Sequence, residues 1–247
     1  MRRVDVLLGP PWAADVIRGA HVAVVDVLRA TTTIAVALAN GAAGAIPVAE
    51  PGEAITLGNR LGRDRVLLCG ERDSVRIEGF DLDNSPASFT PDAVAGKTLL
   101  ITTTNGTRAL RAVATAASVR TAALVNRAAV ADALAREHDA SDIVIVCAGE
   151  RSGFALEDAI GAGALVDALL QRIPDAELRD GARAAALLYR MVAGRLADAI
   201  ASADHAQSLA EKGFTDDVAY SAGLDVLDVV PTLRDGVLVA TPAASPA

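Results

Sequence analysis

The stretch His21–Gly41, HVAVVDVLRATTTIAVALANG, constrains the fold more than any other part of the chain. Val22-Ala-Val-Val25 is a β-branched apolar run, short enough for a strand buried on both faces. Asp26 and Arg29 follow, then Thr31, Thr32 and Thr33. The apolar residues resume as Ile34–Leu38 and stop at Asn40-Gly41. The pattern predicts strand, polar corner and helix. The threonines fall in the first helical turn, where backbone N–H groups lack intrahelical partners and the dipole favours an anion. A strand end that offers a carboxylate, a guanidinium, hydroxyls and free amides is a seat for a phosphate. An ordinary reading stands beside it: Asp26 as a hydrogen-bonded loop residue, Arg29 as a surface residue and the threonines as a helix cap. The corner alone leaves both open.

Other apolar runs end in the same way. The runs closing at Asp26/Arg29, Glu71/Arg72, Thr103/Asn105, Asn126/Arg127 and Glu150/Arg151 each meet a polar cluster at their carboxyl end. In open α/β sheets ligands bind outside the carboxyl ends of the strands. If these strands are largely parallel, the clusters converge on one rim. The predicted class is therefore α/β, three layers of helix, sheet and helix around a mixed, largely parallel sheet. At 247 residues and 52% hydrophobic the chain suits one domain spanning 1–247, with TPAASPA at its end disordered. A core of small aliphatics with only 3% aromatics suits helices packed closely on such a sheet.

Further expected strands are Val4–Leu8, Ala45–Ala49, Val66–Cys69, Thr98–Thr102, Val119–Val125 and Ile143–Cys147. Expected helices are Pro51–Leu61, Arg108–Ala117, Phe154–Ile173 and an interrupted run from Asp180 to about Lys212, with a terminal hairpin around Asp235-Gly236. The loop from Asp73 to Pro91 is long for a compact domain, which marks it as functional.

The net charge of −8 argues against nucleic acid as a partner, so an anionic ligand needs a local arginine cluster. No run is long enough to span a membrane and no signal-length apolar segment follows Arg2-Arg3, which points to a cytoplasmic protein. Cys69 and Cys147 each close an apolar run and read as buried free thiols. Zinc spacing, a P-loop and G-x-S-x-G are absent from the sequence.

The rim inventory suggests a reaction. Asp26, Glu71, Glu150, Glu157 and Asp158 are hard oxygen donors suited to Mg²⁺. Arg29, Arg72, Arg108, Arg127 and Arg151 can hold phosphate or sulfonate oxygens. Thr103-Thr104-Asn105-Gly106-Thr107 is a strand-to-helix turn whose amides and hydroxyls suit another anion. Metal, arginines and a carboxylate together fit phosphoryl transfer. Against this, Glu157 and Asp158 also suit the wet face of a helix start, Arg127 and Arg151 also suit solvent, and His205 reads as an exposed helix residue.

At these residues the chain resembles the 2-phosphosulfolactate phosphatases. The matching stretches are DVLRATTTI (26–34), GER (70–72), GFDLDNSP (79–86), TTTNGTRAL (102–110) and CAGERSGFALEDAIGAG (147–163), with the late SADHAQSL and GFTDDV segments. The resemblance implies a Mg²⁺-dependent enzyme releasing phosphate from (2R)-2-phospho-3-sulfolactate, a step towards coenzyme M. In that setting Asp26 is the candidate nucleophile, and Glu71, Glu150, Glu157 and Asp158 are the candidate metal ligands. Arg29, Thr31, Thr32, Arg72, Asn84, Thr104, Asn105, Gly106, Arg108 and Arg151 are the candidate substrate contacts, with Thr104, Asn105 and Arg108 at the sulfonate end. A strand-end Asp is similar to that of the haloacid-dehalogenase phosphatases. Those carry a second Asp two residues on, where this chain has Leu28, so that kinship is not supported. A phosphatase of another small phospho-acid and a non-catalytic binder of anionic metabolites are the competing readings. A homodimer is the default assembly.

Overall fold

A computed structural model describes residues 2–137, 139, 141–150 and 153–242. The strands are β1 (Arg3–Leu7), β2 (His21–Val25), β3 (Gly44–Pro47), β4 (Val66–Arg72), β5 (Val75–Arg76), β6 (Thr98–Thr102), β7 (Ser118–Ala122), β8 (Ile143–Cys147), β9 (Glu177–Leu178), β10 (Val229–Arg234) and β11 (Val237–Pro242). The α-helices are α1 (Ala14–Ile17), α2 (Ala30–Ala39), α3 (Pro51–Leu61), α4 (Pro91–Val94), α5 (Gly106–Ala112), α6 (Arg127–Ala135), α7 (Leu156–Arg172), α8 (Asp180–Val192), α9 (Leu196–Ala201), α10 (Asp204–Glu211) and α11 (Thr215–Ser221).

The strands form one mixed sheet in the order β5-β4-β6-β3-β11-β10-β7-β2-β8-β1-β9. Side chains alternate across it as the strand period demands. Val22 and Val24 of β2, Val144 and Val146 of β8, and Leu99 and Ile101 of β6 face the core that holds α2 and α5. Ala23, Val25, Ile143 and Ile145 face the opposite core, shared with α6, α7 and α8. Leu100 joins Val66, Leu68 and Ala54 under α3. Both faces are covered, so the sheet is the middle of three layers.

The expected rim needs one correction. β4, β6 and β3 run parallel to one another, and so do β7, β2, β8, β1 and β9. Between the two blocks lies the β10–β11 hairpin, antiparallel within itself, to β3 and to β7. Three reversals set the blocks in opposite senses. In a flat sheet the carboxyl ends of β2 and β6 would lie on opposite edges and about 24 Å apart sideways, at about 4.8 Å per strand. A Cβ on Gly106, just past β6, would nevertheless stand 2.5 Å from the Cβ of Ala30 and 2.7 Å from Oδ2 of Asp26, just past β2. The sheet is therefore wrapped until the two ends meet. α2 lies inside the wrap, which explains why its residues from Ala30 to Leu38 are buried all round.

Other elements shift modestly. Pro51–Leu61, Thr98–Thr102 and Ile143–Cys147 have the expected bounds, whereas α5 begins at Gly106 and ends at Ala112. The expected Val119–Val125 strand stops at Ala122, where a 3₁₀ turn at Leu124–Asn126 begins. The loop after β4 contains β5 and a 3₁₀ turn at Pro86–Ser88. Of the tail expected to be disordered, Thr241 and Pro242 belong to β11 and the rest lies outside the described residues. No helix among the described residues is long and apolar enough to cross a membrane. Both cysteines are buried and free.

Candidate active site

Asp26 leaves β2 and turns into the start of α2. Its Oδ1 accepts from the Ala30 N–H at 3.1 Å, and its own N–H donates to Thr31 Oγ1 at 3.0 Å. Burial pushes the Asp26 carboxyl up to about 7; Glu71 and Glu150 add to the rise, and the Ala30 N–H and Arg29 oppose it.

Glu71 comes from the other block. β4 ends in a hairpin whose two-residue turn, Asp73-Ser74, takes positive φ at both positions, the geometry that matches strand twist. That turn brings the Ser74 N–H to Glu71 Oε2 at 2.8 Å, while Thr104 donates its N–H to Oε1 at 2.9 Å. The preceding Gly70 is required, since a Cβ there would lie 2.1 Å from the Thr102 carbonyl oxygen. Across from it, Asn105 Nδ2 donates to Glu150 Oε2 at 3.0 Å.

Arg29 is buried. Its Nη1 donates to Asp217 Oδ2 at 2.7 Å, its Nη2 donates to the Ser74 carbonyl at 3.2 Å, and its guanidinium lies 4.2 Å from the Phe214 ring centroid. Ser85 Oγ donates to the other Asp217 oxygen at 2.7 Å. The pair joins the α2 corner to α11 and to the 79–86 loop.

These groups enclose a cavity of about 80 Å³. Asp26, Arg29, Glu71, Asn84, Thr104, Asn105 and Glu150 line it, all of them singled out by the sequence. His205, Ser208 and Lys212 of the α10 segment close its far side. His205 Nδ1 lies 3.6 Å from Glu150 Oε2, and burial draws its pKa down. His205 is thus not the exposed helix residue expected. Lys212 Nζ donates to the Asp73 carbonyl at 2.8 Å. The signal in the sequence was the spacing 205, 208, 212, which puts the three on one helical face.

Several expected site residues are employed elsewhere. Thr31 and Thr32 are fully buried and do not line the cavity. Thr31 Oγ1 sits 2.8 Å from the Asp26 carbonyl and 2.7 Å from that of Ala122, and Thr32 Oγ1 donates to the Val27 carbonyl at 2.8 Å. Their hydroxyls tie the corner to the helix. Asp158 accepts the N–H groups of Val27 and Gly149 at 2.8 and 2.9 Å, so both its oxygens brace the loops after β2 and β8. Glu157 is buried off the cavity, its carboxyl pushed up to about 7 by burial and then by Asp26 and Glu150. Gly106 is also buried, and its missing Cβ is what lets α5 approach Asp26. Asn126 bonds to the Ala123 N–H and the Val229 carbonyl, and Arg127 pairs with Asp225, so the Asn126/Arg127 cluster stays outside the cavity. Arg72 and Arg108 line an adjoining cleft instead. Arg151 lies outside the described residues. Among the described residues no three His, Cys, Asp or Glu side chains stand close enough together to hold a metal ion.

A family profile described as 2-phosphosulpholactate phosphatase matches residues 13–236, which include every group of this cavity. The chain belongs to that family. A relative from Caldanaerobacter subterraneus subsp. tengcongensis is 43% identical over 88% of this chain and 89% of its own length. One from Symbiobacterium thermophilum is 41% identical over 93% and 97%, and one from Gloeothece citriformis is 39% identical over 87% and 90%. Each is named a probable 2-phosphosulfolactate phosphatase. Within this family's chain, the wrapped sheet places a strand-end aspartate, two glutamates and a buried arginine around one small cavity.

Proposed function

We propose that the chain is a Mg²⁺-dependent phosphatase that hydrolyses (2R)-2-phospho-3-sulfolactate to 3-sulfolactate and inorganic phosphate. Its family and the printed names of its relatives support the substrate. The observation that carries the chemistry is Asp26: one oxygen is held by the Ala30 N–H, and the carboxylate opens onto a cavity with Glu71, Glu150 and Arg29.

Asp26 attacks the phosphorus, and the bond from phosphorus to the C2 oxygen breaks with its electrons on that oxygen. The alkoxide takes up a proton from solvent water. Water then attacks the aspartyl phosphate, releasing phosphate and restoring the carboxylate. Arg29 offsets charge on the phosphoryl oxygens.

Magnesium suits the donor set. Asn84 Oδ1 and Asn105 Oδ1 are buried and have no hydrogen-bond partner among the described residues, although both residues line the cavity. Those two oxygens with Glu71 and Glu150 are the hard donors that would hold the ion. Mg²⁺ usually binds through one or two carboxylates plus substrate phosphate rather than through an all-protein cage, so Glu71 and Glu150 would suffice as its charged ligands. When bound, it supplies charge compensation for the phosphoryl group.

The test is phosphate release from 2-phosphosulfolactate and a panel of phospho-acids, with Mg²⁺ and with EDTA. Wild type should release phosphate only with Mg²⁺, and Asp26→Ala should lose at least about a thousandfold in kcat. Acid quench should trap phosphate on the peptide holding Asp26; turnover without any trapped acyl phosphate would replace the covalent route with attack by water and make Asp26 a base. Turnover of another phospho-acid alone would keep the site and change the substrate. A folded protein that binds these anions and releases nothing would be a receptor.

A further inference from the structure

Next to the acidic cavity lies a second cleft, of about 320 Å³, with the opposite charge. Arg72, Arg108 and Arg111 line it against one carboxylate, Glu50, and Thr103 and Thr104 are shared between the two spaces. The division follows from strand period. Glu71 and Arg72 are consecutive residues of β4, so their side chains leave on opposite faces, the acid into the cavity and the arginine into the cleft.

Arg72 and Arg111 are positioned yet loosely neutralised. Arg72 Nη1 donates to the Glu71 carbonyl at 2.8 Å and Nη2 to Thr102 Oγ1 at 3.2 Å, whereas its ion pair with Glu50 spans 3.7 Å and Glu50 is 78% exposed. The pair of Arg111 with Glu53 spans 3.9 Å between two exposed side chains. Arg108 lies 5.5 Å from the Trp12 ring centroid, an apolar backing for its guanidinium. Solvated pairs of this kind are worth little and yield to an oxyanion that guanidinium groups can hold through two hydrogen bonds at once.

We propose that the two compartments divide the substrate: the phosphate enters the acidic cavity at Asp26 while a second strong oxyanion, the sulfonate arm, is held in the cleft by Arg72, Arg108 and Arg111. This rests on the phosphatase reading above and adds to it the orientation of the substrate and the residues that select it. Arg111 acquires a role that sequence did not suggest. The wall of Thr103 and Thr104 separates the groups, and a substrate whose two anions are only a few bonds apart can lie across it.

The test compares 2-phospho-3-sulfolactate with 2-phospholactate, which keeps phosphate and carboxylate but lacks the sulfonate. Arg108→Gln and Arg111→Gln should each raise KM for the sulfonated substrate about tenfold, with kcat within about twofold, and so reduce its preference over 2-phospholactate by a similar factor. Arg111→Glu, a surface charge reversal that leaves the packing alone, should lower the preference further. Variants that shift both substrates equally, in an active wild type, would overturn the proposal while leaving the phosphatase reading intact. A wild type inert towards both substrates would instead remove that reading, and this proposal with it.

Discussion

The two walls of the cavity are built differently. One is the sheet: Asp26, Asn105 and Glu150 sit just past strand ends and Glu71 in the last residues of β4, and they are fixed by backbone N–H groups or by one another. The other is helical: His205, Ser208 and Lys212 stand on one face of the α10 segment, and α11 reaches in through Asp217, and through Phe214 just before it, to Arg29. Negative charge collects on the sheet wall and cationic or neutral donors on the helical one. Groups that react need fixed positions, which strand ends within a wrapped sheet provide; groups that bind tolerate the more adjustable support of a short helix.

The Arg29–Asp217 pair bolts these walls together, and breaking it should give the largest effect on stability. Both side chains are at most 4% exposed. Asp217→Asn keeps the shape but leaves a buried guanidinium uncompensated, which should cost about 3–5 kcal/mol in urea unfolding. Replacing both partners with apolar residues, Arg29→Met with Asp217→Leu, should recover much of that loss while activity disappears. A single variant as stable as wild type would show that the pair does not join the walls.

The sheet wall is itself strained by its acids. Asp26 titrates near 7 when folded and near 4 when unfolded, so the native state binds its proton more tightly. Folding stability should therefore fall as pH rises from about 4 to about 7 and level off above. Asp26→Asn retains the acceptor for the Ala30 N–H and removes the charge. In EDTA at pH 8 it should be more stable than wild type by about 2–4 kcal/mol, and the gain should vanish near pH 4. A gain that persisted at pH 4 would trace to packing instead of charge and would take the strain away from the sheet wall.

The same contrast governs what could be read from sequence. Strand ends announce themselves: Ile143–Cys147 and Thr98–Thr102 are apolar runs stopped by polar residues, and their ends do meet in the cavity. The opposition of the two blocks does not, because it depends on where the β10–β11 hairpin inserts, and a single long-range pairing such as Leu238 with Ala45 leaves no local trace. Thr31, Thr32 and Asp158 have the composition of ligand groups, but their hydroxyls and carboxylate are consumed by carbonyls and N–H groups of loops whose paths only the fold defines. His205 and Asp217 lie in segments that the resemblance quoted without a role, and on short helices charged residues look like solvated faces. The helical spacing of 205, 208 and 212 was the readable signal.

Lys212 tests the helical wall at its weakest point. It follows α10, and its side chain's hydrogen bond to the Asp73 carbonyl joins that wall to the β4–β5 turn in solvent. Lys212→Met keeps the aliphatic stem and removes the charge. Stability should change by no more than about 0.5 kcal/mol, since an exposed bond is replaced by water. If the helical wall serves binding, the variant should raise KM for the phosphorylated substrate about threefold to tenfold and leave kcat within about twofold, because one cation beside a dianion is lost equally from ground and transition states. An equal fall in kcat and kcat/KM would mean that the charge acts only on the transition state. The helical wall would then belong to the chemistry, and the division between a reacting sheet wall and a binding helical wall would not stand.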